Sequence, residues 1–480
     1  MYCRNCGSEL HESARFCQKC GSPVNIQIPD SQRPSNPSNM QQPIPNSSGG
    51  KNKKPRKKWW IWLIVSGTVL ALAAAALIFL PFVLDSNDTE DTKPLETLDK
   101  GNPAVETTVA PTERIIESEA PVTSGKDVDF SVWHVALIVD SGSVEDDYFK
   151  ASYDAARKWC EKYGVDCAYY IPSGSLPYAL TEAVDQAVAD GYNILFLPGY
   201  TFAESIVKSA PLYPDVYFIS MDIGDFDFQI AAGTEDTFSY VLPSNVFNAE
   251  YMVEYSGFMA GYAAVKLGYT NLGFLGGMAV PQVVQYGYGF LQGADAAATE
   301  LGIHVEVNYA YANQFFGDED ITSYMRKWYQ SGTEIVFPCG GGVYTSVAEA
   351  AKAYNGKTIG MDVDQSATFD TYQNGMAITS AKKGMGETVT FMLDELILND
   401  NWAAHGGKDE LLGMVSGDDP SLNFVGISDK TQWNSEFSEA DYAQLVADIF
   451  WGKYDISSDT DVDKLPALHS VSVNYEGNLK

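Results

Sequence analysis

The sequence predicts an α/β protein whose main part, residues 130–480, folds into two lobes built on parallel sheets. From residue 131 onward, short apolar runs alternate with segments of helical periodicity. The pattern contains about nine strands. Two similar halves, near 131–245 and 270–362, fit it better than a single sheet of that size. Ligands of parallel sheets bind beyond the carboxyl ends of the strands, so two facing sheets predict a cleft between the lobes.

The elements follow each other in a regular order. The first half predicts strands over 132–140, 165–171, 193–199 and 215–222, and helices over 147–163, 176–190 and 201–212. A helix over 245–267 leads into the second half, with strands over 271–277, 304–312, 334–340 and 357–362 and helices over 284–301, 320–331 and 343–354. A helix near 437–451 and a strand near 469–475 close the chain. We expect the lobes to meet near 245–270 and 362–384.

The first 24 residues predict a small metal-binding module. Two Cys-x-x-Cys pairs are each followed by glycine, and they supply four thiolates: Cys3, Cys6, Cys17 and Cys20. Four thiolates close a tetrahedron around zinc and leave no position for water, so the zinc is expected to be structural. A segment this short needs metal to fold. The alternative, a pair of disulfides or a redox dithiol, requires an oxidising compartment. The segment resembles the zinc ribbons at the N-termini of many bacterial membrane proteins.

A membrane anchor is predicted next. Residues 25–58 form a flexible linker that becomes basic at its end, and residues 59–84 are uncharged and apolar over 26 positions. About 20 such residues suffice to cross a bilayer. A cleavable signal peptide fits less well, because no small-residue cleavage site follows. The positive-inside rule places the N-terminus in the cytoplasm and residues 85–480 outside a cell membrane crossed once. Residues 85–129 read as an acidic, disordered stalk.

The charge distribution excludes one class of partner. The net charge is −32, and the downstream part of the chain after residue 58 holds 21 basic and 60 acidic residues. Such an acidic region repels nucleic acid, so no nucleic-acid partner is expected.

The sequence also argues against an enzyme. The five histidines are scattered, none stands in a metal-binding spacing, and no Gly-x-Ser-x-Gly elbow is present. The turn at 340–342 follows a strand and opens a helix, but it lacks the Gly-Lys-Ser/Thr ending of a phosphate loop. No catalytic residue is therefore assigned.

Polar, aromatic and glycine residues gather at the predicted strand ends. Carboxylates there can accept hydrogen bonds from ligand hydroxyls, and aromatic faces can stack on a flat base. Each acid alone could instead cap the following helix, and each glycine pair could be a plain turn. The residues are Asp140, Asp146, Phe149, Gly199, Tyr200, Asp222, Gly276, Gly277, Gly340, Gly341, Asp362 and Asp364.

Six motifs in order resemble a known family. DSGSVEDDYFKAS at 140–152 resembles the D-x-G-x-x-D-D-x-S-F-N-x-S signature of the basic membrane protein family, which includes purine-nucleoside receptors. The later motifs are PGYTF, FLGGMAVP, PCGGGVYTSVAEAA, IGMDVDQ and AITSAKK, at 198–202, 274–281, 338–351, 359–365 and 377–383. The resemblance spans about 130–400. It implies a type I periplasmic-binding fold, two lobes closing on a ligand across a multi-stranded hinge.

The resemblance also implies roles for individual residues. Phe149 and Tyr286 would sandwich a base, while Asp362 and Lys383 would reach the ribose or the base edge. Asp146 would pair with a base nitrogen, and Gly341 would approach the sugar. Phe149 could instead be a core residue of its helix, and Lys383 a surface lysine.

The sequence departs from the family at four positions. Glu145 replaces the first acid of the pair, Lys150 replaces asparagine, Ala279 replaces aspartate, and Tyr286 replaces phenylalanine. Glu145 and Lys150 flank the predicted stacking residue, so the ligand need not be a purine nucleoside.

The expected function is a tethered receptor that binds a nucleoside-like molecule reversibly and delivers it to the permease of an ABC-type importer. The alternative is a sensor that relays closure through the membrane helix to the zinc ribbon. The sequence does not decide whether Cys160 and Cys167 form a disulfide.

Overall fold

The structure, a computed structural model, describes residues 128–140, 143–234, 240–462 and 464–479. The predicted zinc ribbon, linker, membrane helix and most of the stalk lie outside these residues. Within the described ranges, no helix has both the length and the apolar character needed to cross a membrane.

The elements of the described chain come in the following order. The first part comprises β1 (His134–Ile138), α1 (Asp147–Tyr163), β2 (Asp166–Tyr170), α2 (Pro177–Ala189), β3 (Ile194–Pro198), α3 (Ala203–Ser209), β4 (Tyr217–Met221), α4 (Asp225–Ala232) and β5 (Val246–Tyr251). The second comprises α5 (Val253–Lys266), β6 (Asn271–Gly276), α6 (Pro281–Leu301), β7 (Val305–Tyr311), α7 (Glu319–Gln330), β8 (Ile335–Cys339), α8 (Tyr344–Tyr354), β9 (Lys357–Asp362), α9 (Ser366–Asp370) and β10 (Ala377–Lys383). The last comprises α10 (Met385–Leu393), β11 (Lys408–Leu412), β12 (Val425–Ile427), α11 (Glu439–Phe450) and β13 (Val471–Asn478).

These strands form two sheets. The first has six parallel strands in the order β11-β5-β4-β3-β1-β2. The second has seven strands in the order β12-β10-β9-β8-β6-β7-β13, and its strand β12 runs antiparallel to β10. Strands β3 and β8 are buried along their whole length, as expected for parallel strands covered on both faces. The predicted two-lobed α/β architecture is confirmed.

Helices α5 and α6 pack unusually closely against each other. A Cβ atom added at Gly257 would lie 2.2 Å from the carbonyl oxygen of Tyr286, and one at Gly293 would lie 1.9 Å from that of Phe258. Only glycine allows the two backbones to approach this far.

One predicted helix begins too early. The segment 246–251, expected to be helical, is strand β5, and the helix starts at Val253. The segment is almost wholly buried between β4 and β11, so it lacks the alternation that marks a half-buried strand. Strand pairing on both sides supplies the hydrogen bonds that a helix would have made locally.

The chain crosses between the sheets at three places. The crossings follow β5, at Met252; β10, at Gly384; and β11, over 413–424. The crossings are bonded to one another: Met252 N–H donates to the carbonyl of Leu412 at 2.8 Å, and Gly384 N–H to that of Phe424 at 2.7 Å. The three connections therefore form a hydrogen-bonded hinge between the lobes.

Candidate functional site

The carboxyl ends of strands from both sheets meet at Lys383, the last residue of β10. Its ammonium nitrogen lies 2.7 and 2.8 Å from the carboxylate oxygens of Asp222, 3.0 Å from Oδ1 of Asp362 and 3.1 Å from Oε1 of Gln282. Asp222 follows β4 of the first sheet, and Asp362 ends β9 of the second. The lysine side chain is 4% exposed, so the alternative of a surface lysine is wrong.

The two aspartates share an uncommon backbone conformation. Asp222 has φ of 67° and Asp362 has φ of 66°, in the left-handed region that aspartate tolerates better than most residues. Both stand where a buried parallel strand gives way to a loop. The chain turns sharply there, and the carboxylates of the two lobes converge on one ammonium group.

Two tyrosine hydroxyls complete the cluster. Tyr148 donates to Oδ2 of Asp222 at 3.2 Å, and Tyr286 donates to Oδ1 of Asp362 at 3.3 Å. Lys383 also lies over the ring of Tyr286, 5.7 Å from its centroid. Burial raises the pKa of both tyrosines well above its usual range, so the hydroxyls stay neutral donors.

The electrostatics keep Lys383 charged. Burial disfavours the ammonium, but Asp222 and Asp362 outweigh it and raise the pKa of Lys383. Burial also raises the pKa of Asp362, against the pull of the lysine. With both carboxylates ionised the cluster carries one net negative charge, which suits a ligand that offers hydroxyl or amine donors.

The cluster extends into a second group of acids. Gln282 links Lys383 to Glu250 of β5. The carboxyl group of Glu250 in turn interacts with that of Asp409 of β11. Burial, together with the negative charge of Asp409, raises the pKa of Glu250 to about 8. Sequence reasoning did not single out Gln282, Glu250 or Asp409.

The predicted residues of α1 have structural partners. Asp146 is the N-cap of the helix and accepts the N–H of Tyr148 at 3.1 Å. Phe149 is 6% exposed, belongs to the main hydrophobic core and meets the ring of Tyr148 edge-on at 5.2 Å. Asp146 therefore caps the helix and Phe149 is a core residue, as the alternatives for these two positions predicted. A ligand would contact Phe149 only after the surrounding cleft opens.

The first sheet contributes three more predicted residues. Asp140 follows β1 and accepts a hydrogen bond from the hydroxyl of Thr201 at 3.1 Å. Gly199 has φ of 114°, and an added Cβ would lie 3.9 Å from both Asp140 and Tyr148, which places this turn beside the cluster. Tyr200 is 55% exposed.

Gly341 has a role in the backbone. Its φ is 51°, and an added Cβ would lie 2.7 Å from the carbonyl oxygen of Phe315. The neighbouring Gly342 donates its N–H to the same oxygen at 2.7 Å. The glycine turn is thus required by the close approach of the loop after β7.

The lobes also touch at the cleft mouth. The hydroxyl of Thr368, on α9 of the second lobe, donates to the carboxylate of Asp147, at the start of α1 in the first lobe. The cleft is therefore closed across this contact. Two cavities, of about 600 and 240 Å³, lie away from it, at the C-terminal end of α1 and beside Tyr454. We therefore place the candidate ligand site at the polar residues of the strand ends and not at either of these cavities.

Among the described residues, no group of three or more histidines, cysteines or acids is arranged to hold a metal ion. The predicted zinc ligands Cys3, Cys6, Cys17 and Cys20 lie outside these residues.

The protein has two lobes on parallel sheets, a three-segment hinge and polar residues that converge at the strand ends. These features define a solute-binding protein of the periplasmic-binding type. Residues 133–433 match the family described as ABC transporter substrate-binding protein PnrA-like, and the chain belongs to this family. Residues 2–24 match the zinc-ribbon domain family. The resemblance read from the motifs is confirmed.

Curated relatives agree with this assignment. The ABC transporter nucleoside-binding protein BmpA of Lactococcus lactis is 26% identical over 279 residues, which cover 54% of this chain and 74% of the relative. Basic membrane protein B of Borreliella afzelii is 26% identical over 307 residues, covering 62% and 82%.

Solved structures support the fold. An ABC transporter solute-binding protein from Conexibacter woesei superposes with a TM-score of 0.52 at 19% identity, covering 68% of this chain and 99% of that one. A second, from Aeropyrum pernix, has a TM-score of 0.50 at 17% identity, covering 69% and 95%.

Proposed function

We propose that this protein is a membrane-anchored receptor that binds a nucleoside-like molecule reversibly between its lobes and delivers it to an ABC-type permease. The observation that carries the proposal is the cluster of Lys383, Asp222 and Asp362 at the meeting point of the two sheets. One lobe supplies Asp222 and the other supplies Lys383 and Asp362. A ligand bonded to this cluster would favour the closed arrangement of the lobes.

The polar groups of the cluster match the chemistry of a nucleoside. The carboxylates accept hydrogen bonds from hydroxyls, and here the tyrosine hydroxyls of Tyr148 and Tyr286 occupy such positions. Ribose hydroxyls can replace these donors without leaving a buried carboxylate unsatisfied. The rings of Phe149 and Tyr286 are buried beside the cluster, and opening of the cleft would let a base stack between them.

The charge of the cleft argues for a nucleoside over a nucleotide. Lys383 is already neutralised by two carboxylates, and Asp140 adds another acid at the end of β1. A phosphate group would face these carboxylates without a free cation among the cluster residues described above, which costs several kcal/mol.

The rest of the chain supplies the setting for this proposal. An apolar stretch at 59–84 behind a basic flank supports a single membrane crossing, with the ligand-binding region outside the cell and the N-terminus in the cytoplasm. The four cysteines at positions 3, 6, 17 and 20, within the zinc-ribbon match, would hold a structural zinc ion there. We propose no catalytic step.

Calorimetric titration of the full chain in detergent tests the ligand. The panel holds purine and pyrimidine nucleosides, their monophosphates and the free bases. We expect a nucleoside to bind with micromolar or tighter affinity, and Asp362→Asn to weaken this at least tenfold, because a charge-assisted hydrogen bond is lost. Asp154→Asn is the matched control, since it removes a carboxylate from the exposed side of α1.

If no nucleoside binds, or if Asp362→Asn and Asp154→Asn behave alike, the proposed ligand class or site is wrong. Preference for the monophosphates would contradict the charge argument.

A sensor is the second candidate function. The zinc-ribbon match favours it, because a protein that only delivers solute needs no cytoplasmic module. The long linkers on both sides of the apolar stretch oppose it, since a slack tether transmits strain poorly. Deleting residues 1–50 separates the two: a sensor loses its cellular response while uptake continues, and a delivery receptor shows no change.

A further inference from the structure

Two cysteines lie together at the far end of α1, the helix whose first turn reaches the cleft. Cys160 is in the last turn of α1 and is buried, and Cys167 is in β2 and is half-buried. Both residues line the same cavity, and each shifts the pKa of the other. Neither side chain touches the cluster around Lys383, so the function proposed above leaves this pair unexplained.

The local backbone holds the two residues in place. The helix ends at Gly164, with φ of 69°, and the N–H groups of Gly164 and Val165 both donate to the carbonyl of Cys160. Strand β2 then pairs with β1 and sets Cys167 opposite Val135. Tyr153 and Tyr169 add an edge-on ring contact at 5.1 Å between the same helix and strand. The thiols therefore meet because the fold brings them together, without a covalent link.

The pair is open to small molecules from solvent. Both cysteines line the cavity of about 600 Å³ at this end of α1, together with Tyr153, Arg157, Glu161 and Asp166. An oxidant can enter this cavity and reach the half-buried Cys167 more readily than Cys160, which is 1% exposed.

The environment gives the two sulfurs different acidity. The hydrogen bond from Cys160 lowers the pKa of the Cys167 thiol, and the nearby positive charge of Arg157 acts in the same direction. The same hydrogen bond, together with burial, raises the pKa of Cys160. Cys167 is thus the sulfur that attacks first, and Cys160 is positioned to resolve the product.

We propose that Cys160 and Cys167 form an intramolecular disulfide when the protein meets a low-molecular-weight disulfide oxidant. The Cys167 thiolate attacks one sulfur of the oxidant, forms a mixed disulfide and releases one thiolate, which takes up a proton. Cys160 then loses its proton to solvent and attacks the Cys167 sulfur, releasing the second small thiol. Two protein thiols are oxidised, and one small disulfide is reduced to two thiols.

The disulfide fixes the C-terminal end of α1 to the sheet. Helix α1 is about 25 Å long at 1.5 Å per residue, and its other end carries Asp147 and Tyr148, which contact the second lobe and Asp222. A cross-link that closes so short a loop removes entropy from the unfolded chain and raises stability by a modest amount.

Peptide mapping of the full chain tests the proposal. The purified protein is incubated with oxidised glutathione, alkylated without reduction and digested with trypsin. Cleavage after Lys158, Lys162 and Lys208 separates residues 159–162 from residues 163–208. We expect these two peptides to be recovered as one disulfide-linked species, which reduction splits. The Tm of the oxidised protein should exceed that of its reduced form by about 2–5 °C.

Two cysteine variants serve as controls. Cys339→Ala should still give the linked peptide, because Cys339 is buried in β8, and Cys167→Ser should abolish it and the rise in Tm. Two separate alkylated peptides, or a lasting adduct of glutathione on Cys167, would overturn the proposal. None of these outcomes depends on whether the cleft binds a nucleoside.

Discussion

At the residue scale, the site depends on one buried cation between two acids. Asp222 and Asp362 could be selected from the sequence because each follows a buried run and so stands at the edge where ligands bind. Lys383 was named only through the family resemblance, since a lysine at the end of an apolar run is equally typical of a surface loop. Tyr148 carried no signal, because its hydroxyl contact with Asp222 depends on residues 74 positions apart.

Replacing Lys383 with methionine should destabilise the protein strongly. Two carboxylates would then remain buried near each other without a cation, at a cost of roughly 3 kcal/mol or more. The pKa of Asp362, which burial already raises, would rise further without the lysine, so the deficit relative to wild type should shrink as the pH falls. Urea unfolding at pH 5 and pH 8 measures both effects.

Lys158→Met is the control for this change, because Lys158 is exposed on α1 and its loss should alter stability by less than about 0.5 kcal/mol. A Lys383→Met protein as stable as this control would mean that the cluster is solvated and not buried.

At the element scale, the alternation of apolar runs predicted most strands, and the exceptions have physical causes. Strand β11 has only its last residue buried, so it offered no apolar run, and its place in the sheet comes from pairing with β5. Strand β12 has three residues, too few for a periodic signal. Strand β5 was missed because burial on both faces hides its period.

The segment before β11 contains a histidine that should make stability depend on pH. His405 lies 3.1 Å from carboxylate oxygens of both Glu410 and Glu395. The bond to Glu410 and that to Glu395 raise the pKa of His405 against the effect of burial. A raised pKa adds stability that is complete below the unfolded value, near 6.5, and is lost as the pH rises through the folded value.

Wild type should therefore exceed His405→Gln in unfolding free energy by on the order of 1 kcal/mol at pH 5.5, and by less at pH 8.5. Thermal unfolding of both proteins across this range measures the difference, and the titrating groups that do not contact His405 cancel between them. A difference that grows with pH would contradict the assignment of a charged His405.

The contact of α5 with α6 predicts a large steric effect. Gly257→Ala would place a methyl group within 2.2 Å of the Tyr286 carbonyl oxygen, so the helices must separate. We expect a loss of about 3 kcal/mol in unfolding free energy. Gly174→Ala is the matched control, because nothing lies within 4 Å of its Cβ position, and its effect should be near zero. Equal unfolding midpoints for the two variants would show that α5 and α6 can move apart freely.

At the scale of the whole molecule, polar contacts join the two lobes across the cleft. Beyond the hinge, they include the Lys383–Asp222 ion pair and the hydrogen bond from Thr368 to Asp147. Because these two contacts are polar, a change of one partner should alter the opening equilibrium more than the stability of either lobe.

Thr368→Val should loosen the cleft mouth while leaving global stability within about 1 kcal/mol of wild type. We expect faster amide hydrogen exchange in 147–150 and 366–370, measured by mass spectrometry of the full chain, with no change in the central strands. Thr371→Val is the matched control, since its hydroxyl donates to the carbonyl of Thr368, three residues earlier in the same lobe. Equal exchange in both variants would show that this contact does not hold the cleft closed.

The hinge connections also set an order of events during synthesis. The first sheet lacks its edge strand β11 until residue 412 has left the ribosome, and by then β6–β10 of the second sheet have already emerged. Asn248 of β5 would wait for its partner Asp409 throughout that interval. The lobe that is made first is therefore completed by a strand made after most of the other lobe, so a chain cut between residues 266 and 271 would yield no complete first sheet.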